Sequence, residues 1–108
     1  MLCNILTIPE FDKNVKKLSK KYRNIKIDLE KFIDELKKNP TMGTPLIGSC
    51  YKIRVANSSV PVGKSGGFRV ITYFIDKDNN IYLLTIYSKS DASTIADFQI
   101  LELLKKIN

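Results

Sequence analysis

Two helical stripes of apolar residues occupy the first third of the chain. In each stripe the residues recur every three or four positions, which places them on one face of a helix: Phe11, Val15, Leu18 and Tyr22 in the first, and Ile25, Leu29, Phe32, Ile33 and Leu36 in the second. Arg23 and Asn24 separate the stripes, and Pro40 ends the second. The pattern predicts a helical hairpin whose first helix begins at a capping box of Thr7 and Glu10.

Four shorter segments are rich in β-branched and aromatic residues and are bounded by turn-forming residues, as strands are. They cover residues 3–7, 50–56, 68–75 and 81–87, with loops at 41–49 and 57–67 and a turn at 76–80. Residues 93–107 return to a helical period, with Ile95, Phe98, Leu101 and Leu104 on one face. The order strand, helix, helix, three strands, helix predicts a single α+β domain over residues 1–108.

Charge narrows the range of partners. The chain has 18 Lys and Arg against 11 Asp and Glu, a net charge of +7, and no histidine. Such an excess favours a polyanion, although a tightly held acidic protein would account for it equally well. Cys3 and Cys50 lack the spacing of a metal site, so we expect no metal and no cofactor. The sequence contains neither a membrane-spanning run nor a signal peptide, which indicates a cytoplasmic protein that does not enter a membrane.

Basic and aromatic side chains share one face of the later strands. Lys52 and Arg54 are two residues apart and therefore project from the same side of their strand. If aliphatic side chains mark the core face of each strand, the other face collects the basic and aromatic residues: Lys52, Arg54, Arg69, Tyr73, Tyr87 and, at its edge, Lys89. Such a face can bind phosphates and stack on unpaired bases. A solvated sheet face has the same pattern, so both interpretations remain open.

These residues also indicate how RNA could be cut without a metal ion. The acidic residues are scattered along the chain, whereas a metal-dependent nuclease needs converging carboxylates. In the alternative chemistry the 2′-hydroxyl of RNA attacks the neighbouring phosphate, and Arg54 and Arg69 stabilise the charge of the transition state. Lys52 and Tyr87 are then the candidates for proton transfer.

Three lysines outside this face are further candidates for RNA binding. Lys64 lies in the loop at 57–67, from which a long side chain could reach RNA. Lys16 and Lys20 belong to a basic run on the first helix, and such a run is usually only a solvated face. Because the run supplies much of the net charge, we expect it to help the protein dock on ribosomal RNA.

Three sequence blocks then resemble a known family: YKIRVA at 51–56, GKSGGFRVITYF at 63–74 and LLTIYSK at 83–89. In this order, and after a helical hairpin, they resemble the RelE/ParE toxin superfamily, and within it the HigB-like branch. The resemblance covers essentially the whole chain. It implies an N-terminal strand and a helical hairpin packed on a mostly antiparallel four-stranded twisted sheet, with a C-terminal helix.

The resemblance also implies a function and a set of site residues. It implies the toxin of a type II toxin–antitoxin pair, which a cognate antitoxin inhibits and which meets operator DNA only through that antitoxin. For the RelE and HigB branches it implies ribosome-dependent cleavage of mRNA. The family's basic residues correspond by position to Lys52, Arg54, Arg69 and Lys89. Ser90 stands where RelE has a further arginine, and Ile95 and Ala96 stand near the position of its tyrosine. The alternatives are that Tyr87 or Tyr73 replaces the proton-transfer residues of RelE, or that catalysis is slower.

Two other functions fit the same superfamily. ParE-like members inhibit DNA gyrase and cut nothing, and the sheet alone does not distinguish them from RNases. The third alternative is a module without catalysis, which only binds an antitoxin or a nucleic acid. The basic trio of Lys52, Arg54 and Arg69 favours RNA cleavage.

Overall fold

A computed structural model of the protein describes residues 3–61, 66–91 and 95–107. The helices are α1 (Pro9–Ser19), α2 (Ile25–Lys38) and α3 (Asp97–Leu104). The strands are β1 (Asn4–Thr7), β2 (Thr44–Pro45), β3 (Cys50–Val55), β4 (Phe68–Ile75) and β5 (Asn80–Ser88). Short 3-10 turns at Ile47–Ser49, Asp76–Asp78 and Lys105–Ile107 join or extend these elements. In the described part of the chain, no helix combines the length and apolar character needed to cross a membrane.

The sheet has five strands in the order β1-β5-β4-β3-β2. β1 runs parallel to β5, and all other neighbours are antiparallel. The predicted α+β fold with a mostly antiparallel sheet is therefore confirmed, with one strand more than we predicted. The additional strand is β2, which has two residues and lies in the segment predicted as a loop. Its proline occupies an edge strand, where a missing backbone N–H is tolerated.

One face of the sheet packs against the helical hairpin. Ile53 of β3 and Phe68 and Val70 of β4 point to this face and are at most 2% exposed. The ring of Tyr22, between α1 and α2, packs edge-on against Phe68 with 5.4 Å between ring centroids. The apolar stripes predicted for the two helices supply Phe11, Leu18, Ile25 and Leu36 to the same core.

The beginning of α1 differs from the prediction. Thr7 is the last residue of β1, and Ile8 is the N-cap residue, without a side-chain hydrogen bond. The Thr7 hydroxyl instead donates to the Asp12 carboxylate, with 3.1 Å between the oxygens. The predicted capping box of Thr7 and Glu10 is therefore wrong. Pro9 starts the helix instead, because its fixed φ suits the first helical position and its missing N–H needs no partner there.

A β-bulge in β5 changes which residues of that strand face the core. Ile71 pairs with Thr85 and Thr72 pairs with Leu83, which leaves Leu84 as one additional residue. Before the bulge, Leu83 lies on the helix side of the sheet, opposite Thr72. After it, Ile86 lies on that side, and Thr85 and Tyr87 point to the opposite face. Bulges commonly redirect side chains in this way next to functional sites.

The face opposite the hairpin is open only in part. Cys50 and Ile71 point to it and are fully buried. Leu104 and Ile107, at the C-terminal end of the described chain, line a cavity of about 270 Å³ together with Tyr73. The C-terminal helix therefore covers the Cys50–Tyr73 end of this face, and Tyr73 lies in the covered part.

The C-terminal helix also starts later and turns a different face inward than predicted. Ile95 and Ala96 precede α3, and residues 92–94 of the predicted helix lie outside the described residues. Phe98 and Leu101 are 69% and 43% exposed, whereas Ile100 is fully buried. The stripe that we predicted has steps of three residues. Because a helical turn takes 3.6 residues, such a row drifts around the helix and leaves the buried side.

Gly67 lies where β4 approaches the end of β3. A methyl group in place of its hydrogen would press on the carbonyl oxygen of Val55 and stand 3.0 Å from the Asn57 nitrogen. We expect Gly67→Ala to lower the free energy of unfolding by about 1–3 kcal/mol, the usual cost of overpacking. Urea denaturation measures this change. An unaltered midpoint would contradict the close approach of these two backbone segments.

Candidate RNA-binding site

Three of the predicted site residues form a row across the sheet. Arg54 of β3 pairs with Arg69 of β4, and Arg69 pairs with Tyr87 of β5. Directly paired residues of neighbouring strands point to the same face, with their Cβ atoms about 5 Å apart. The side chains of Arg54, Arg69 and Tyr87 therefore start as neighbours on the face of the sheet opposite Ile53 and Val70.

The two arginines differ in their surroundings. Arg69 is only 5% exposed, and its Nη1 donates to the carbonyl oxygen of Phe68 at 3.2 Å. Arg54 is exposed and borders a cavity of about 150 Å³ that Asp28 and Glu35 of α2 also line. Like charges directly opposite each other weaken a sheet. Since an anion bound between the two guanidinium groups would offset this repulsion, the pair has the electrostatics of a phosphate site.

Tyr87 completes the row with a hydroxyl that has no hydrogen-bond partner among the described residues. Its oxygen is buried, and no described residue offers it a hydrogen bond. Burial raises the pKa of Tyr87, and the positive charge of Arg69 offsets part of that rise. A buried hydroxyl without a partner costs about 1–3 kcal/mol. The neutral phenol is therefore available as a proton donor to a bound group.

Lys52 and Lys89 lie on either side of the row. Lys52 precedes Arg54 by two residues on the same face of β3, about 7 Å away, and is partly buried. Lys89 is exposed and follows β5 directly, and its backbone N–H donates to the Gly67 carbonyl oxygen at 3.0 Å. Both ammonium groups therefore lie close enough to extend the positive charge of the row along its face.

A hydrogen-bonded cluster holds the turn that carries Lys89. Ser88 donates to the Asp91 carboxylate at 2.7 Å, and the hydroxyls of Ser88 and Ser90 are 3.1 Å apart. The Tyr22 hydroxyl reaches Ser90 at 3.4 Å, and this contact is the main cause that lowers the pKa of Tyr22. Ser90, the position at which the sequence departs from RelE, thus has a structural role here.

Four other predicted RNA-binding residues lie away from the row or cannot be placed. Tyr73 follows Arg69 by four residues, about 13 Å along the strand, and its ring stacks on Tyr82 with 6.3 Å between centroids. Lys16 and Lys20 are exposed on α1, where they line a shallow basic cleft together with Glu10. Lys64 lies outside the described residues. Their roles in RNA binding stay predictions.

The structure adds residues of α1 to the candidate site, which the sequence did not indicate. Thr7, the last residue of β1, pairs with Leu83, and from there α1 runs beside β5. This arrangement brings Asn14 and Lys17 of α1 to Thr85 and Tyr87. Asn14 Nδ2 donates to the Thr85 hydroxyl at 2.7 Å. Lys17 was visible only as one member of a basic run, and no pattern in the sequence singles out Asn14.

Metal-ligating residues do not gather in the described ranges. Within residues 3–61, 66–91 and 95–107, no three Cys, Asp or Glu residues come close enough together to hold an ion. Both cysteines are buried free thiols, and burial raises the pKa of Cys50 to about 11.

Known structures share this architecture. No protein-family model matches the chain. The isolated RelE toxin of E. coli is similar over 98% of this chain and 99% of its own, with a TM-score of 0.61 and 17% identity. A double arginine-to-alanine mutant of E. coli RelE in the free state matches over 98% of this chain and 94% of its own, with a TM-score of 0.60 and 17% identity.

A third similar structure is a metal-bound toxin from Helicobacter pylori. It covers 84% of this chain and 98% of its own, with a TM-score of 0.51 and 21% identity. At these identities the likeness is one of fold, and it agrees with the sequence blocks at 51–56, 63–74 and 83–89. The chain therefore has the fold of the RelE toxins, as its sequence predicted.

Proposed function

We propose that this protein is the toxin of a type II toxin–antitoxin pair and that it cleaves mRNA on the ribosome. The observation that carries the proposal is the row of Arg54, Arg69 and Tyr87 across three strands of a RelE-like sheet. Directly paired residues share a face of the sheet, so this register gathers two arginines and a tyrosine on one side. Arginine side chains bind phosphate through paired hydrogen bonds, and a phenol can transfer a proton.

The row suits a phosphodiester in the act of being cut. Charge develops on the phosphate oxygens in the transition state, and prearranged guanidinium groups stabilise that charge more than they stabilise the ground state. Arg69 is held by its buried position, and Arg54 approaches the same point from the edge of the sheet. Lys52 and Lys89 add positive charge where the RNA backbone would continue.

The proposed reaction needs no group beyond RNA and the protein. The 2′-oxygen bonds to phosphorus, and the bond from phosphorus to the 5′-oxygen of the next nucleotide breaks. Lys52 is our candidate to take the proton from the 2′-hydroxyl, and Tyr87 is our candidate to give one to the departing 5′-oxygen. The products are a 2′,3′-cyclic phosphate and a free 5′-hydroxyl.

The proposal includes the partners of the protein. A cognate antitoxin would bind through an acidic segment, since this chain has a net charge of +7. Operator DNA would be bound by the antitoxin. The order of the three sequence blocks supports the HigB-like branch, and a ribosomal target would place the toxin's action in the cytoplasm.

A translating extract with a reporter mRNA tests this function. We expect the protein to cut the mRNA within codons, to leave the same mRNA intact without ribosomes, and to leave supercoiling by gyrase unchanged. Lys52→Ala should slow cleavage by about 10²–10⁴, the usual worth of a proton-transfer group. Lys38→Ala, at the exposed end of α2, is the control with the same loss of charge.

Other results in the same extract would contradict the proposal. Intact mRNA together with arrested supercoiling would identify a ParE-like inhibitor of gyrase. Intact mRNA and normal supercoiling would identify a binding module without catalysis. Cleavage that Lys52→Ala leaves unchanged would remove Lys52 from the mechanism.

A further inference from the structure

A cavity of about 170 Å³ opens between α1 and β5, directly beside the row of Arg54, Arg69 and Tyr87. Its walls combine apolar and polar side chains: Asn14, Lys17, Leu18, Thr85, Tyr87 and Asp91. Tyr87 belongs to both the row and the cavity. A ligand whose phosphate lies on the arginines could therefore place a neighbouring group in this cavity.

Two polar groups at the cavity have unused hydrogen-bonding capacity. The Tyr87 hydroxyl is buried and meets no donor or acceptor in the described part of the chain. Asn14 uses one N–H on Thr85, which is only 7% exposed and holds the amide in place. The amide oxygen and the second N–H of Asn14 have no partner among the described residues, so they present an acceptor and a donor side by side.

We propose that this cavity is a nucleobase pocket, which binds one base of single-stranded RNA next to the phosphate held by Arg54 and Arg69. The inference rests on the proposed function, since it assigns a second part of the same substrate. A side-chain amide is the protein group that most directly matches the paired donor and acceptor on the edge of a base. Leu18 and Ile86 supply apolar surface for the flat ring.

The charges at the cavity argue for a base rather than a second phosphate. Asp91 lies on its wall, and its carboxylate would repel a phosphate while it could accept a hydrogen bond from an amino group of a base. Lys17 stands on the α1 side, where the backbone of the same nucleotide would pass. The pocket would therefore make the toxin sensitive to the identity of one base.

Binding of short RNAs measures this sensitivity directly. The probes are four fluorescent homopolymeric octaribonucleotides and one abasic octamer with the same ribose-phosphate backbone, compared by anisotropy at low salt. We expect the preferred base to bind at least about tenfold more tightly than the abasic chain, because a good amide–base pair discriminates by about that much. Asn14→Ala should reduce this ratio to about twofold or less.

Two further variants separate base reading from folding. Asn14→Asp replaces the amide that donates to Thr85 by a carboxylate that can accept a hydrogen bond from the Thr85 hydroxyl. Because the variant offers only acceptors to a base, binding should shift toward cytosine by about tenfold relative to the other bases. Asn4→Ala is the control, because it removes an exposed Asn–Asn hydrogen bond at the far end of β5 and should leave every ratio unchanged.

The outcomes distinguish this inference from the proposed function. If the unaltered protein binds the abasic octamer as tightly as all four homopolymers, there is no base pocket, whether or not mRNA is cleaved in extract. Ratios that persist in both Asn14 variants overturn the assignment of the pocket to this cavity. Base-dependent binding without any cleavage of mRNA supports the pocket and contradicts the nuclease.

Discussion

Replacing Arg54 by alanine is expected to slow mRNA cleavage on programmed ribosomes by about 10²–10³, the usual loss when one preorganised donor to a developing oxyanion is removed. Arg54 stands opposite Arg69 in the sheet, so its loss halves the guanidinium charge at the proposed phosphate position. Arg54 is exposed, so its proposed contribution is one of charge and direct hydrogen-bond donation to the phosphate. Single-turnover rates on purified ribosomes would measure the effect separately from ribosome binding.

The folded state should not suffer from the same change. Because Arg54 and Arg69 repel each other across neighbouring strands, Arg54→Ala should leave the free energy of unfolding unchanged or raise it by up to about 1 kcal/mol. Arg23→Ala, which removes an exposed arginine between the two helices, is the matched control and should cleave normally. A variant at Arg54 that cleaves at the parental rate would refute the phosphate site.

Tyr87→Phe should lower the cleavage activity without lowering the stability of the folded protein. Loss of the hydroxyl removes the proposed proton donor to the 5′-oxygen, and we expect cleavage to slow by about 10²–10⁴. The same change removes a buried hydroxyl without a partner, so the free energy of unfolding should stay the same or rise by about 1 kcal/mol. Thermal or urea unfolding beside the cleavage assay would show both effects.

The pH dependence gives a second test of Tyr87. Burial holds its pKa above the ordinary value of 10.0. A proton donor is active below its pKa, so the donor should remain intact from about pH 7 to about pH 9 and fail only above the ordinary tyrosine value. Tyr82→Phe, on the same strand, is the control. A parental rate in Tyr87→Phe would count against the assignment, as would a loss of the donor below neutral pH.

Much of the sheet could be predicted because each strand has a clear chemical signature. The alternation of residues in β3 placed Lys52 and Arg54 on one side of the strand and Ile53 on the other. The β-branched and aromatic residues of β4 predicted both ends of that strand correctly. The row of Arg54, Arg69 and Tyr87 followed from counting residues by two. Pairing between strands then needed only the antiparallel order that the resemblance implied.

The bulge at Leu84 shows why the alternation of residues does not predict the core face of every strand. Ile81, Leu83 and Ile86 all face the core, although odd and even positions of a regular strand face opposite sides. The sequence presents this as a continuous apolar run, which does not indicate which of its residues face the core. Which residue is inserted depends on how β4 and α1 pack on β5, and a single strand's sequence does not contain that information.

The wall of the site depends on tertiary structure in the same way. Asn14 is one polar residue among several on α1, and only the placement of α1 beside β5 brings it to Thr85 and Tyr87. The C-terminal helix has leucine or isoleucine at four of its eight positions, so several faces compete for the core. The face with Ile100 is the buried one, and α3 contacts the 3-10 turn at Ile47–Ser49. The helical period of the sequence does not indicate which of these faces is buried.

The parallel pair of β1 and β5 has a consequence for the making of this protein. Asn4 of the first strand pairs with Asn80 at the start of the last strand, β5. At roughly 5–20 residues per second, the chain emerging from a ribosome would wait about 4–15 s between these two strands. During that interval the sheet on which the helical hairpin packs is incomplete. The three residues of the row, Arg54, Arg69 and Tyr87, are not yet neighbours on its surface. The row of Arg54, Arg69 and Tyr87 would therefore be completed only after β5 has left the ribosome and paired with β4.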